Sequence, residues 1–379
     1  MKIKIKTPKK RDIKTAPFKV GKLTELEDGE FARICAEVNR KFIPPEGLKP
    51  FEYDLYKHGL TQSMLGTFLS CERKFRLAAS RMTSGNESGA IVFGNVYHLA
   101  LEITQNKIST GAISTPEDVK SAMVHIMEEV YAHLEDDYQK ALPDTREDYE
   151  FAYGCTEAML PLYFFFWASD FFGGNKKTWL FSEREFKVEF AGVPLRGKID
   201  GGYSDVLKRR WMLENKTKGV WNEGNLSKII ERDLQVNVYD LALSELDGVK
   251  YEGVLYNIIR RPQLRRKKDE DMKAFISRVK EDVETRPEWY FSRLEVTISE
   301  DQRAAFRVQL SRIVDRIKKW YALAKDNAGL DIENTLQCQQ VYGACQFLNL
   351  CSSVLTDYAG LYVRKGMFSE LEQANKESK

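Results

Sequence analysis

Three charged residues in the middle of the chain have the types and spacing of a metal-dependent site. Asp200 ends one predicted strand, Glu214 and Lys216 lie in the next, and the polar segment 204–210 between them is short enough for a hairpin turn. Side chains alternate between the two faces of a strand, so Glu214 and Lys216 point the same way. A hairpin would therefore bring both carboxylates and the ammonium group together.

Two neighbouring carboxylates repel each other unless a cation lies between them. Because oxygen atoms are hard ligands and no His or Cys stands beside these residues in the sequence, the expected cation is Mg²⁺ or Mn²⁺. Lys216 next to such an ion can orient a water molecule and stabilise negative charge on a phosphate. Charged residues make up 30% of the chain, so a solvated hairpin with a surface salt bridge is the alternative interpretation.

Two residue pairs on predicted helices are further candidates. His98 and Glu102 are four residues apart and share one helix face, so the imidazole can join the carboxylates as a metal ligand. A simple His–Glu pair on the helix surface is the alternative. Gln235 and Tyr239 have the same spacing, which by itself is equally typical of a helix core.

Cysteines cluster near the end of the chain. Cys338, Cys345 and Cys351 lie within fourteen residues of one another. Thiolates select zinc or iron–sulfur clusters, and either group usually takes four ligands. Cys71 is the natural fourth ligand. Unrelated buried thiols are the alternative interpretation.

The surrounding pattern predicts helices and strands in alternation. A helix opens near Thr61 and contains Cys71, and residues 116–172 are helical with a break near Pro143. Further strands are predicted at Phe181–Phe190, Tyr251–Ile259 and Tyr290–Ile298, and further helices at Leu226–Leu246, Asp269–Thr285 and Ser299–Lys325.

Charge is concentrated locally, because the 379-residue chain has a formal net charge of only +2. Residues 1–14 hold seven Lys or Arg against one Asp, and Arg260–Lys268 holds six with no acid. A disordered tail and a solvated loop are the alternatives to a role in nucleic-acid binding. A charged N-terminus and the absence of a long apolar run predict a cytoplasmic protein without a membrane segment.

These motifs occur together, in this order, in one family. The chain resembles the RecB-like branch of the PD-(D/E)XK nucleases, which includes AddB and the CRISPR-adaptation exonucleases, over about residues 60–355. The family motifs Gly-x-x-x-His-x-x-x-Glu, Gly-x-Ile-Asp, Glu/Asp-x-Lys-Thr and Gln-x-x-x-Tyr are similar to Gly94–Glu102, Gly197–Asp200, Glu214–Thr217 and Gln235–Tyr239. The family's four-cysteine signature is similar to Cys71 with Cys338, Cys345 and Cys351. Asn215 stands where relatives more often carry an aromatic or aliphatic residue.

The resemblance implies a role for each matched residue. His98, Asp200, Glu214 and the backbone carbonyl of Asn215 would hold Mg²⁺ or Mn²⁺, and Lys216 would position the attacking water. Gln235 and Tyr239 would face the active site and the DNA. The four cysteines would hold a structural [4Fe–4S] cluster, with Zn²⁺ as the alternative.

The implied fold is α/β, a mixed sheet of the PD-(D/E)XK (restriction-endonuclease-like) type flanked by helices. Residues 1–59 would form a loosely packed basic extension, and residues 60–330 the nuclease core with a helical insertion at about 105–175. Residues 331–379 would form the cysteine-rich closure and C-terminal tail.

The implied function is that of a Mg²⁺- or Mn²⁺-dependent deoxyribonuclease. We expect an exonuclease that acts on DNA ends or single strands in recombination, repair or phage DNA processing, in a bacterial or phage-infected cytoplasm. A helicase or recombination protein would be its partner. The alternatives are a CRISPR-adaptation nuclease and a non-catalytic DNA-end-binding subunit with the same fold.

Overall fold

The computed structural model describes residues 52–83, 88–174, 177–219, 223–325, 331–340, 343–351 and 363–364. Most of the predicted basic extension of residues 1–59, and nearly all of the tail after residue 351, lie outside the described residues. Among the helices that are described, none combines the length and the apolar character that crossing a membrane requires.

A five-stranded mixed sheet forms the centre of the molecule. Its strands are β2 (Thr178–Phe190), β3 (Val193–Ser204), β4 (Arg210–Lys218), β5 (Gly253–Arg260) and β6 (Phe291–Thr297), in that spatial order. Strands β4 and β5 are parallel, and the other neighbours are antiparallel. Four strands of two residues each complete the described strands and form two antiparallel pairs: β1 (Met82–Thr83) pairs with β9 (Val363–Arg364), and β7 (Gln339–Gln340) with β8 (Gly343–Ala344).

Helices cover the sheet. The described helices are α1 (Leu55–His58), α2 (Gln62–Ser70), α3 (Glu72–Ala79), α4 (Gly89–Ser109), α5 (Pro116–Lys140), α6 (Pro143–Phe166), α7 (Ala168–Phe171), α8 (Leu226–Ile230), α9 (Leu234–Asp247), α10 (Met272–Thr285), α11 (Pro287–Tyr290), α12 (Glu300–Ala324) and α13 (Leu348–Cys351). The mixed α/β architecture with flanking helices confirms the predicted fold class.

Alternate residues of β5 show that the sheet lies between two helical layers. Val254, Tyr256 and Ile258 belong to a buried cluster with α9 and α12, whereas Ile259 belongs to a second cluster with α4, α6 and α10. All eight residues of β5 are buried, as expected of a central strand with a parallel neighbour. The core is therefore on both faces of the sheet.

Two predicted helices differ from the structure. The helix predicted to run through Cys71 is wrong: Cys71 is extended (φ −168°) and lies at the junction between α2 and α3. The predicted helix Leu226–Leu246 is also two helices, because the Asp233 carboxylate accepts hydrogen bonds from the N–H groups of Gln235 and Val236 and begins α9 there. The predicted helix start near Thr61 and the break near Pro143 are confirmed, and Thr61 is the N-cap of α2.

A buried ion-pair network joins the N-terminal helices to the segment after α12. Asp331 Oδ2 and Oδ1 accept hydrogen bonds from Arg76 Nε at 2.6 Å and Nη2 at 2.9 Å, and Trp320 Nε1 donates to Oδ1 at 3.0 Å. The Asp331 side chain is 1% exposed. This network places Cys71 beside the segment that carries the later cysteines.

Candidate active site

Strands β3 and β4 separate at the predicted carboxylate pair. Their backbone pairing runs from Ser204↔Arg210 to Gly201↔Leu213, and the turn 205–209 joins them, which confirms the predicted hairpin. Asp200 lies inside β3 and does not end the strand as predicted. Its Oδ2 accepts a hydrogen bond of 2.6 Å from the backbone N–H of Asn215, so the carboxylate reaches across to β4.

Glu214 is the most enclosed carboxylate of the site. The residue is 1% exposed, and its Oε1 lies 2.5 Å from Lys216 Nζ. In the part of the chain that the structure describes, no donor reaches its buried Oε2. Burial raises the pKa of Glu214 to about 8, with Asp200 adding to the increase and Lys216 opposing it. Burial lowers the pKa of Lys216, but Glu214 outweighs burial and the net pKa is raised.

A chain of hydrogen bonds orients the Lys216 ammonium group. Its Nζ donates to Gln235 Oε1 at 2.7 Å, and Gln235 Nε2 donates to Tyr239 OH at 3.2 Å. Gly197 permits this packing, since a Cβ there would lie 2.6 Å from Phe186 Cε1 and 3.1 Å from Tyr239 Cε1. Gln235 thus contacts Lys216 directly, and Tyr239 contacts Gln235.

His98 approaches the same site from α4. Burial lowers its pKa, with Lys216 and Lys198 acting in the same direction and Asp200 opposing them. The imidazole is therefore neutral near pH 7, the form that binds metals. Helix α4 comes close to β4 because residue 94 is glycine: a Cβ there would lie 2.9 Å from Thr217 Oγ1. Glu102 lies 3.5 Å from Lys198 Nζ.

Glu183 and Lys198 also lie at this site, although neither was among the predicted site residues. Lys198 Nζ lies 2.7 Å from a Glu183 carboxylate oxygen. Burial raises the pKa of Glu183 well above its usual value, and the neighbouring Asp200 raises it further. Lys198 precedes Asp200 by two residues, a spacing that was a usable signal. Glu183 has a positive φ of 51°, so strand alternation could not predict its direction.

A buried polar network holds Asn215 from the side opposite Asp200. Asn257 Nδ2 donates to Asn215 Oδ1 at 2.7 Å, and Arg293 Nε donates to Asn257 Oδ1 at 3.1 Å. Arg293 in turn contacts Asp170 and the Tyr163 hydroxyl. The unusual Asn at position 215 therefore has a matching partner on the adjacent parallel strand.

The donor atoms of the site fit a hard divalent cation in type. Glu214 Oε2 is a buried carboxylate oxygen without a hydrogen-bond donor, beside the Asp200 carboxylate and a neutral imidazole. Within the described ranges, however, no three His, Cys, Asp or Glu side chains are arranged as a group that could hold a metal ion. The carboxylate pair is formed, whereas a complete set of three side-chain ligands is not.

The four predicted cysteine ligands lie in one region of the molecule. The pKa of Cys338 is raised by burial and then by Cys345 and Cys71, and burial raises that of Cys351 to about 11. Cys345 N–H donates to the Cys338 carbonyl at 2.8 Å, and Cys345 and Cys351 pack against Phe347. The thiols are thus near enough to interact electrostatically, although they are not arranged as a metal-holding group.

A family model described as the PD-(D/E)XK nuclease superfamily matches residues 59–352. This range includes the carboxylate pair, the lysine and all four cysteines, and it agrees with the mixed sheet and flanking helices. No curated protein matches the chain.

Proposed function

The chain belongs to the PD-(D/E)XK nuclease superfamily, and we propose that it is a Mg²⁺- or Mn²⁺-dependent deoxyribonuclease that acts as an exonuclease on DNA ends or single strands. One observation carries the proposal. Glu214 is buried next to Asp200 with one oxygen on Lys216 and the other without a donor. A buried carboxylate oxygen without a donor destabilises the folded protein, so a role in stability does not explain it. Such a group is suited to binding a cation.

The residues divide the work of phosphodiester hydrolysis. Asp200, Glu214, His98 and the carbonyl of Asn215 would hold the metal ion, which when bound acidifies a water molecule and neutralises phosphate charge. Lys216 would hold that water, and donate to a phosphate oxygen as charge develops. Gln235 keeps the ammonium group directed towards the site, and Tyr239 keeps Gln235 in place.

The test is cleavage by variants of the site. Glu214→Ala and Lys216→Ala are expected to abolish hydrolysis of end-labelled DNA in Mg²⁺ or Mn²⁺, with circular dichroism unchanged. Lys187→Ala and Glu189→Ala are matched controls, because these residues are also two apart on a strand but exposed. Full activity in either site variant would refute the assignment. Resistance of circular single-stranded and duplex DNA would support an exonuclease.

We propose in addition that Cys71, Cys338, Cys345 and Cys351 hold a [4Fe–4S] cluster with a structural role. Their proximity across more than two hundred residues of sequence supports it, because a bound cluster would cross-link distant segments. Protein purified without oxygen should be coloured and contain iron. A colourless protein that contains zinc would overturn this assignment and leave the nuclease proposal intact.

A further inference from the structure

The end of the sheet nearest Lys216 carries basic residues that the proposed chemistry does not use. At the ends of the parallel strands β4 and β5, Lys218 is paired in register with Arg260. Lys218 follows Lys216 by two residues, so it lies on the same face, about 7 Å further along the strand. The N–H of Arg261 donates to the Lys218 carbonyl at 2.9 Å, and the chain continues as the loop 261–268.

This loop is fixed against the end of β4. Pro262 is buried, and a Cβ at Gly219 would lie 2.6 Å from Gln263 Nε2. The loop contains five basic residues and no acid. It therefore holds a concentration of positive charge beside the proposed active site.

Nearby acids of α6 neutralise part of this charge, because Arg261 Nη2 lies 3.8 Å from Asp148 Oδ1 and Arg266 Nη1 lies 3.0 Å from Glu147 Oε1. Glu270 follows the loop, but its carboxylate is bonded by Arg278 at 2.9 and 2.7 Å. Arg265 and Lys268 are exposed, and among the residues that the structure describes neither side chain forms an ion pair with a carboxylate. Such positive charge attracts phosphate groups.

An exposed aromatic ring lies at the same end of the sheet. Trp289 precedes β6, whose first residue Phe291 pairs with Ile259, and it is 48% exposed. The guanidinium carbons of Arg260, which is itself 4% exposed, and of Arg286 lie 4.1 and 5.6 Å from the centroid of the Trp289 ring. These two cation–π contacts hold the ring in place, while about half of the residue stays open to solvent.

We propose that Lys218, Arg265, Lys268 and Trp289 form a path for a single DNA strand that leads away from Lys216. The basic side chains would contact phosphates, and the Trp289 ring would stack on an unpaired base. An exposed ring favours a single strand, because the bases of a duplex are already stacked on each other. This inference rests on the proposed nuclease function and names the form of its substrate.

The experiment measures binding separately from cleavage. Affinity for a labelled oligo(dT) and for a duplex of equal length is measured with EDTA present, so that no metal-dependent cleavage takes place. Trp289→Ala is compared with Trp289→Phe, which keeps an aromatic ring. Arg265→Ala/Lys268→Ala is compared with Lys208→Ala/Lys250→Ala, a control pair that lies at the opposite ends of β4 and β5.

Trp289→Ala should weaken oligo(dT) binding about fivefold or more, with binding restored in Trp289→Phe. The Arg265/Lys268 variant should make the negative slope of log K for oligo(dT) binding against log salt concentration shallower by about 1.4. The control pair should leave this slope unchanged. Unchanged oligo(dT) affinity and salt dependence in the variants would refute the proposed path. An equal loss of affinity for the duplex would also refute it. If these effects appear in a protein that cleaves no DNA, the path stands and the nuclease proposal fails.

Discussion

Replacing Asn257 by Ala tests whether the buried network behind β4 positions the active site. Asn257 is fully buried, and its side chain donates a hydrogen bond to Asn215 and accepts one from the charged Arg293. The substitution leaves a buried acceptor on Asn215 and a buried donor on Arg293 without partners. Leaving a buried neutral group without a hydrogen-bond partner costs about 1–3 kcal/mol, and a charged group costs somewhat more. We therefore expect the free energy of unfolding to fall by about 3–5 kcal/mol.

The same substitution should reduce catalysis in the protein that remains folded. Asn215 donates its N–H to Asp200 and carries the carbonyl proposed as a metal ligand, so a shift of this residue disturbs both groups. Urea denaturation gives the stability, and kcat and KM for DNA cleavage are measured where both proteins are folded. We expect kcat to fall at least tenfold, with a smaller change in KM.

Asp331→Asn is the control, because the Asp331 side chain is 1% exposed and hydrogen-bonded but, among the described residues, contacts none of those in the site. This control should lose stability and keep its kcat. If the free energy of unfolding of Asn257→Ala fell by several kcal/mol and its kcat stayed at the wild-type value, the network would contribute to stability alone. A role of the network in positioning the active site would then be refuted.

Three other substitutions test separate parts of the structure. Gly94→Val should push α4 away from Thr217 and weaken Mn²⁺ binding measured by calorimetry, with the far-ultraviolet circular dichroism spectrum unchanged. Unchanged Mn²⁺ affinity would contradict a close approach of α4 to β4. Asp331→Ala removes the buried carboxylate that accepts two hydrogen bonds from Arg76, so the free energy of unfolding should fall by about 3–5 kcal/mol in urea titrations. A loss below about 1 kcal/mol would be inconsistent with a buried ion pair. Cys345→Ala should lose visible absorption and iron together with thermal stability, and a coloured variant with full iron content would exclude Cys345 as a ligand.

Residues close together in sequence were predictable, because local geometry fixes where they point. The spacing of Glu214 and Lys216 on one strand, and of Gln235 and Tyr239 on one helix, was enough to predict neighbours that the structure brings together. Asp200 required only the short hairpin turn in addition. The local pattern also gave the type of most helices and strands.

Contacts between distant segments could not be predicted in this way. Asn257 contacts Asn215 and Arg293 contacts Asn257 only because β5 lies between β4 and β6, an order that no local pattern contains. Glu183 reaches the site through a backbone conformation that is unusual for a residue other than glycine. The end of α2 before Cys71 was missed because apolar spacing continued through a position where the backbone is extended.

The most direct test of the central claim is the location of a divalent ion in a crystal soaked in Mn²⁺. Our account predicts an anomalous-scattering peak shared by the carboxylates of Asp200 and Glu214, which disappears in crystals of Glu214→Ala. A Mn²⁺ peak elsewhere in the molecule would contradict this claim. So would the absence of a peak between these two carboxylates, if protein recovered from the dissolved crystals cleaves DNA.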